Sequence, residues 1–317
     1  MTMKKDDLHQ YLLGALKEKI PEQTKLVEML METLFMEKGA IYRRLRGEVP
    51  FSFFEVVNIA EKLSVSLNSL IAANPERIDS FDLNVMDIDY DQWEYYISLI
   101  NLAKNDPHSE FAESSNLIPI SIYSKFESLY KFYLFKYQYL LSGTESRTSF
   151  SEYVVSEKLK YIFQSYYNAS KTFAKTFYIC DHLLINNLII GINFFSGINL
   201  ISGDEIQQIK EDLFAFVDYV EDIASDGYFK ETGNPVDIYL SDIDLDAGYG
   251  YFQHNDIYIC HVRTFIINTV VATDKASFER IKNWIQSLKK SSTLITKSGA
   301  TFRADFFGKQ RKIISEL

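Results

Sequence analysis

Residues 37–51 read EKGAIYRRLRGEVPF. Three arginines, Arg43, Arg44 and Arg46, fill three of four positions just before a glycine and a proline, in a chain whose formal net charge is −10. On a helix, at about 100° per residue, Ile41 and Leu45 share the face that turns to a core. Lys38, Gly39, Tyr42, Arg43 and Arg46 fall on the other side, with Arg44 at the edge of that stripe. A guanidinium is a planar fork that can bond a phosphate or a guanine edge through two N–H groups at once. A glycine on the same stripe lets the helix come close to another surface. The acidity of the whole chain does not veto such a site, because distant charges are screened beyond about 10 Å at 0.1 M salt. Locally the balance is even: residues 1–74 have net charge zero, residues 75–274 net −17 and residues 275–317 net +7.

Helices surround this stretch on both sides. Residues 4–20 place Leu8, Leu12, Leu16 and Ile20 at i, i+4 spacing. Pro21 opens a second helix, where its missing N–H costs nothing, and that helix carries Leu26, Met29, Leu30 and Leu34. A third, short helix spans 37–46 and is closed by Gly47. PFSFFEVVNIAEKL follows with Ser52 as N-cap and Glu55 three residues later, a capping box. SVSLNSLIAAN makes a last short helix, stopped at Asn74-Pro75. The first 74 residues therefore read as a compact all-helical domain.

Residues 30–71, LMETLFMEKGAIYRRLRGEVPFSFFEVVNIAEKLSVSLNSLI, resemble the helix-turn-helix of lambda-repressor-like regulators. Gly47, Pro50, Ala60, Leu63, Val65, Ser66, Leu67 and Leu70 carry the likeness. The turn position usually held by glycine is Phe35 here, Met31 stands where a small residue is usual, and Leu45 takes the apolar role expected at Arg44. The resemblance covers about a fifth of the chain. It implies a recognition helix that enters the major groove of double-stranded DNA N-terminus first, with Lys38, Gly39, Tyr42, Arg43, Arg44 and Arg46 as the DNA-binding residues.

Beyond this head, PERIDSFDLNVMDIDYDQ reads as an acidic linker over 75–91. Residues 92–317 read as a larger α+β domain, mostly helical with a small antiparallel sheet. The periodicity predicts helices at 92–104, 119–141, 150–170, 171–196, 203–225 and 274–290. Ser202 and Glu205 form a second capping box. After Gly227 the segments PVDIYLSDIDLD, YGYFQHNDIYICHV and RTFIINTVVAT predict three or four antiparallel strands. Tyr123, Phe126, Tyr130, Tyr133 and Tyr137 recur at 3,4,3,4 spacing, the pattern of a core seam. Asp242, Asp244 and Asp246 open like a calcium loop, but Ala247 and Gln253 stand where its glycine and closing glutamate belong; a half-exposed strand fits better. GYGYF lacks the third glycine of a dinucleotide fingerprint.

Residues 183–203 carry no charge for 21 positions, a membrane-spanning length. Four asparagines and three glycines within them favour an internal helix whose amides hydrogen-bond inside the protein. The opening MTMKKDDLHQ does not read as a signal peptide. Two distant cysteines, Cys180 and Cys260, suggest neither a disulfide framework nor a zinc site, and fit a cytoplasmic protein. No nucleophile, metal or cofactor constellation is legible. The expectation is a non-enzymatic, dimeric, DNA-binding transcriptional regulator whose C-terminal domain oligomerises or senses an unidentified small molecule or protein. A non-catalytic interaction module and an enzyme with a tethered DNA-binding head remain open alternatives.

Overall fold

The computed structural model describes residues 9, 12–14, 16–17, 20–63, 82–83, 90–142, 148–263 and 269–317. The chain divides into two compact units, Met1–Ser80 and Phe81–Leu317. Val65, Ser66, Leu67, Leu70, the Asn74-Pro75 stop and most of the 75–91 segment lie outside the described residues.

The N-terminal unit is helical. It contains helical backbone at 12–14 and 16–17, then α1 (Gln23–Leu34), α2 (Lys38–Leu45) and α3 (Phe53–Leu63). Its core is Leu12, Leu13, Leu16, Leu26, Val27, Leu30, Leu34, Ile41, Phe51, Ile59 and Ala60. Every helix contributes one apolar stripe to it, which is what amphipathic spacing demands of short helices that cannot stand alone.

The C-terminal unit mixes helices with a sheet. Its helices are α4 (Tyr90–Leu102), α5 (Ile120–Tyr123), α6 (Glu127–Ser142), α7 (Glu157–Ala169), α8 (Asn186–Gly197), α9 (Gly203–Asp226), α10 (Lys275–Lys290) and α11 (Ala300–Ser315). Its strands are β1 (Asp82–Leu83), β2 (Glu110–Ser115), β3 (Lys175–Cys180), β4 (Val236–Ser241), β5 (Gly248–His254), β6 (Ile257–Arg263), β7 (Thr269–Ala272) and β8 (Ser292–Leu294). They form one sheet in the order β1-β7-β6-β5-β2-β3-β4-β8. One face packs on a large helical layer through Phe111, Tyr178, Cys180, Ile238, Phe252 and Ile259. The other, through Ala112, Phe177, Ile179, Tyr251 and Cys260, packs on α10 with its Phe278, Ile285 and Leu288. Alternation of side chains along each strand separates the two layers.

The sheet is mixed, which corrects the expectation of purely antiparallel pairing. β3 pairs in parallel with β2 and with β4, and only the flanking pairs are antiparallel. β2 falls between the expected helices at 92–104 and 119–141, and β3 falls inside the helix expected at 171–196. Both are central strands buried on two faces, so they lack the period-2 alternation that marks a half-exposed strand. The expected helix at 119–141 breaks at Ser124–Phe126, and that at 150–170 starts only at Glu157, where the Ser156 hydroxyl accepts the Leu159 N–H at 3.3 Å. The aspartates Asp242, Asp244 and Asp246 lie in an exposed loop after β4, not in a strand. Among the described residues, no helix is long and apolar enough to cross a membrane.

One buried lysine shapes the stability of this unit. Lys171, 2% exposed, follows α7 and donates from Nζ to the Tyr167 carbonyl at 2.8 Å. Its own carbonyl accepts from Thr232 Oγ1 at 3.0 Å and Asn234 Nδ2 at 2.9 Å. Burial pulls its ammonium down to about 6, against the pull of Glu231 and with the push of Lys125. An unfolded lysine titrates near 10.4. Between those values the unfolded chain holds one proton more than the folded one. The stability contributed by this group therefore rises with pH, by up to about 1.4 kcal/mol per pH unit, and falls as pH drops through the window toward 6. Lys171→Met is expected to be more stable than the parent at pH 7 and to lose that slope between pH 6.5 and 9. Urea unfolding followed by tryptophan fluorescence checks this, since Trp93 and Trp284 both lie in the C-terminal unit; parallel stability–pH curves for the two proteins would contradict it.

Candidate nucleic-acid interface

The arginine stripe stands on α2, between two tight connections. The α1–α2 turn passes through Phe35, whose backbone is left-handed at φ 52° and ψ 45°. Such a conformation costs an L-residue with a bulky side chain roughly 1 kcal/mol or more and suits glycine. Phe35 is also 93% exposed, so no burial of its ring offsets that cost. After α2 the chain reverses at Gly47, φ 78°, where the Gly47 N–H donates to Arg44 O and the Glu48 N–H to Arg43 O, both at 2.9 Å. The capping box expected for α3 is present: Ser52 N–H donates to Glu55 Oε2 at 2.8 Å and Glu55 N–H to Ser52 Oγ at 3.3 Å. Phe51 is buried and stacks on His9 with ring centres 5.6 Å apart.

Ile41 is fully buried, and this fixes the rotation of α2. Lys38, Gly39, Arg43 and Arg46 are exposed as a result. Tyr42 is half-buried and packs against the core of the unit, so only part of its ring faces outward. A Cβ added at Gly39 would meet no atom within 4 Å. Packing inside the unit therefore gives no reason for a glycine in the middle of this helix.

Arg44 does not join the stripe. Its Nη2 and Nε donate to the two oxygens of Glu55 at 2.7 and 3.1 Å, and Nη1 reaches the Ala40 carbonyl at 3.4 Å. Both side chains are largely buried, at 16% and 9% exposure. Burial pushes the Glu55 carboxyl up, but the hydrogen bonds from Arg44 and Ser52 outweigh it and hold the group below its ordinary value. The second arginine thus ties α2 to the start of α3, a role the sequence did not disclose. Position 44 sits about 100° from Arg43 and 60° from Ile41, close enough to the core to be drawn inward by a carboxylate on α3.

Arg43 and Arg46 share one exposed carboxylate. Arg46 Nε lies 2.6 Å from Glu48 Oε1, and Arg43 Nε 3.6 Å from Oε2. The Arg46 hydrogen bond holds the Glu48 carboxyl below its ordinary value. All three side chains are solvated, so these pairs are weak and open readily to a competing anion.

The C-terminal unit holds a different polar centre, built across three strands. Glu113 on β2, Gly250 on β5 and His261 on β6 stand in one row, and Gly248 pairs with Arg263 in the next. The two glycines of GYGYF thus face the helical layer and leave a trough across β5. His261 fills it so closely that a Cβ at Gly250 would lie 2.3 Å from the imidazole. Arg263 reaches over β5 to Glu113, Nη2 to Oε1 at 2.8 Å, and its Nη1 donates to Ser115 Oγ at 3.2 Å. The Ser121 hydroxyl donates to Glu113 Oε2 at 3.0 Å and meets the Tyr178 hydroxyl at 3.1 Å. Burial raises the Glu113 carboxyl despite Arg263 and Ser121, and burial with Arg263 presses His261 down to about 3. His261 is therefore neutral at physiological pH. The aromatic run Tyr123, Phe126, Tyr130, Tyr133 and Tyr137 is buried throughout, as a core. Among the described residues, no group of three or more His, Cys, Asp or Glu side chains is placed to hold a metal ion.

No protein-family model, curated protein or solved structure matches the chain.

Proposed function

We propose that the chain is a cytoplasmic, DNA-binding transcriptional regulator. Its N-terminal unit acts as a helix-turn-helix of the lambda-repressor-like kind, with α1 and α2 as the two helices and α2 as the one that reads the major groove. The observation that carries this reading is the stripe of Lys38, Gly39, Arg43 and Arg46, exposed on a short helix whose buried side is pinned by Ile41. Three further features support it. The turn before α2 is left-handed at Phe35, the position where such regulators usually carry glycine. Gly47 closes the helix with a positive φ, and a capped helix follows after Pro50. Gly39 has no packing role inside the unit, which fits a helix that must lie close to a nucleic-acid surface. In this reading the two solvated arginines exchange Glu48 for phosphates and base edges, and Arg44 supports α2 from behind. Two copies, paired through residues 92–317, would place two heads on a pseudo-palindromic site.

The test is selection of bound sequences from a random duplex library, followed by gel-shift titration over a range of salt. Sequence-selective binding with a steep salt dependence is the expected outcome. A flat salt response and no enriched sequence would reject the reading.

Gly39 offers a check that separates binding from folding. Gly39→Ala is expected to stabilise the N-terminal unit by roughly 0.5–1 kcal/mol, since alanine is the better helix former and the added methyl meets open space. The same methyl is expected to weaken binding to the selected duplex severalfold. Thermal unfolding and gel shift on the same sample give both numbers; unchanged affinity would remove Gly39 from the interface.

A second reading, a protein-interaction module, is favoured by one observation. Phe35, Phe53 and Phe54 are 93%, 78% and 72% exposed on the N-terminal unit, and large apolar side chains left in water often mark a protein surface. Failure of the duplex selection would leave that reading in place.

A further inference from the structure

The expectation for the uncharged segment is an internal helix with its asparagines bonded inside. Asn187 meets it, with Nδ2 donating to the Asn116 carbonyl at 3.4 Å, but one side of the helix turns outward. α8 buries Leu188, Ile192 and Phe195 against the helical layer, and its Gly191 lies on α6, where a Cβ would stand 3.2 Å from the Phe132 ring. The opposite side is exposed. Leu183 just before the helix, Ile190 and Phe194 on it and Ile198 just after it are 50%, 67%, 52% and 42% exposed. Asn187, Asn193 and Gly197 stand among them, also exposed. The spacing 187, 190, 194, 197 is that of a single helix face. A helix on the surface of a folded unit ordinarily carries charge there, and this one carries none.

We infer that this face of α8 is where two copies of the chain meet across a two-fold axis; the inference rests on the dimeric regulator reading for its purpose, not for its geometry. Charge selects the occupant. Residues 75–274 carry net −17, so a copy approaching most of this region meets like charge. Across a two-fold axis a patch faces itself, and an uncharged patch is then electrostatically complementary to itself where acidic surfaces are not. A lipid surface is a poorer fit. Helices that lie on membranes border their apolar face with lysines and arginines. Lys136 of α6 stands beside Gly191, but no basic residue falls within 183–203, and Asp204 and Glu205 follow it. Asn193 within the face can bond across the axis to its own counterpart, and Gly197, with open space around it, allows the two backbones to approach.

The experiment uses the full chain and reads its oligomeric state. Sedimentation at micromolar concentration is expected to give a dimer. The pair Ile190→Glu/Phe194→Glu places like charges on the axis and is expected to raise the dissociation constant about tenfold or more. Circular dichroism of that variant is expected to match the parent, because the two side chains are 67% and 52% exposed, and its thermal midpoint is expected to match that of the parent diluted until it dissociates. A second variant avoids dependence on folding of the first. Asn193→Cys, treated with a short bismaleimide, is expected to give a covalent dimer, while Ser225→Cys on the exposed side of α9 gives none. The native Cys180 and Cys260 are buried and stay silent. A monomeric parent, a dimer indifferent to the two glutamates, equal cross-linking at both cysteine positions, or binding of the parent to anionic vesicles through this face would each overturn the inference. Absence of DNA binding in a protein that still dimerises through α8 would count against the regulator reading alone.

Discussion

The Arg43→Ala/Arg46→Ala variant is expected to fold as the parent does and to bind the selected duplex roughly a hundredfold or more weakly, at about 1–3 kcal/mol for each arginine that reads a base. The basis is geometric. Both side chains are solvated, at 61% and 58% exposure, and their only ion-pair partner among the described residues is an exposed glutamate. Removing them leaves no buried group unsatisfied, so thermal unfolding of the N-terminal unit should hardly move. Two companion variants sharpen the result. Glu48→Gln removes the carboxylate that both arginines share and that would repel phosphate, and it is expected to tighten binding. Arg44→Ala is expected to behave in the opposite way from the double variant. It strands the carboxylate of Glu55 in a largely buried setting and so lowers stability first. Salt titration assigns the arginine contacts further: each lost phosphate contact flattens the slope of log K against log salt by about 0.9, whereas a lost base contact lowers selectivity at one position. Unchanged affinity in the double variant would dismiss α2 as the reading helix.

The contrast between Arg44 and its two neighbours shows where the sequence was legible and where it was not. Helical spacing placed Ile41 in the core, and the capping boxes at Ser52 and Ser202 followed from local chemistry, so both were readable within a few residues. The pairing of Arg44 with Glu55 joins positions eleven apart through a turn. Nothing in the spacing distinguishes it from a third solvated arginine. The same limit hid β2 and β3. A strand buried on both faces has no polar side to alternate with, and Glu113, Ser114 and Ser115 look like loop residues until the two neighbouring strands, and Arg263 reaching over from β6, bring their partners. The glycines of GYGYF carried no motif, and their role appears only with the register that sets Gly250 between Glu113 and His261. The absence of charge over 183–203 marks a helix, but which of its sides is buried appears only once Leu188, Ile192 and Phe195 lie against the helical layer.

Arg263→Ala is expected to destabilise the C-terminal unit by about 3–5 kcal/mol, the cost of leaving one member of a buried ion pair without the other. Glu113 is 2% exposed, and apart from Arg263 it receives a hydrogen bond from the Ser121 hydroxyl. That single neutral donor cannot hold a carboxylate in an apolar layer. Burial already raises the Glu113 carboxyl, and Arg263 is what pulls it back. Without the arginine the folded protein should take up a proton at Glu113 that the unfolded chain releases. A folded value raised above the unfolded one means that stability falls as pH rises through the window between them. The variant should therefore lie closest to the parent near pH 5 and furthest from it at pH 8. His261 adds to the same trend, since loss of the neighbouring guanidinium relieves part of what presses its imidazole down and so lessens the cost of burying it at acid pH. The double change Glu113→Gln/Arg263→Met removes both charges and fills the trough over β5 with a flexible apolar chain. It is expected to recover most of the loss, because two charges removed together leave no unpaired ion behind. Urea unfolding read through tryptophan fluorescence measures all three proteins at both pH values. An Arg263→Ala variant within about 0.5 kcal/mol of the parent, the range of an ordinary surface change, would show that Glu113 is not held as a buried carboxylate at all.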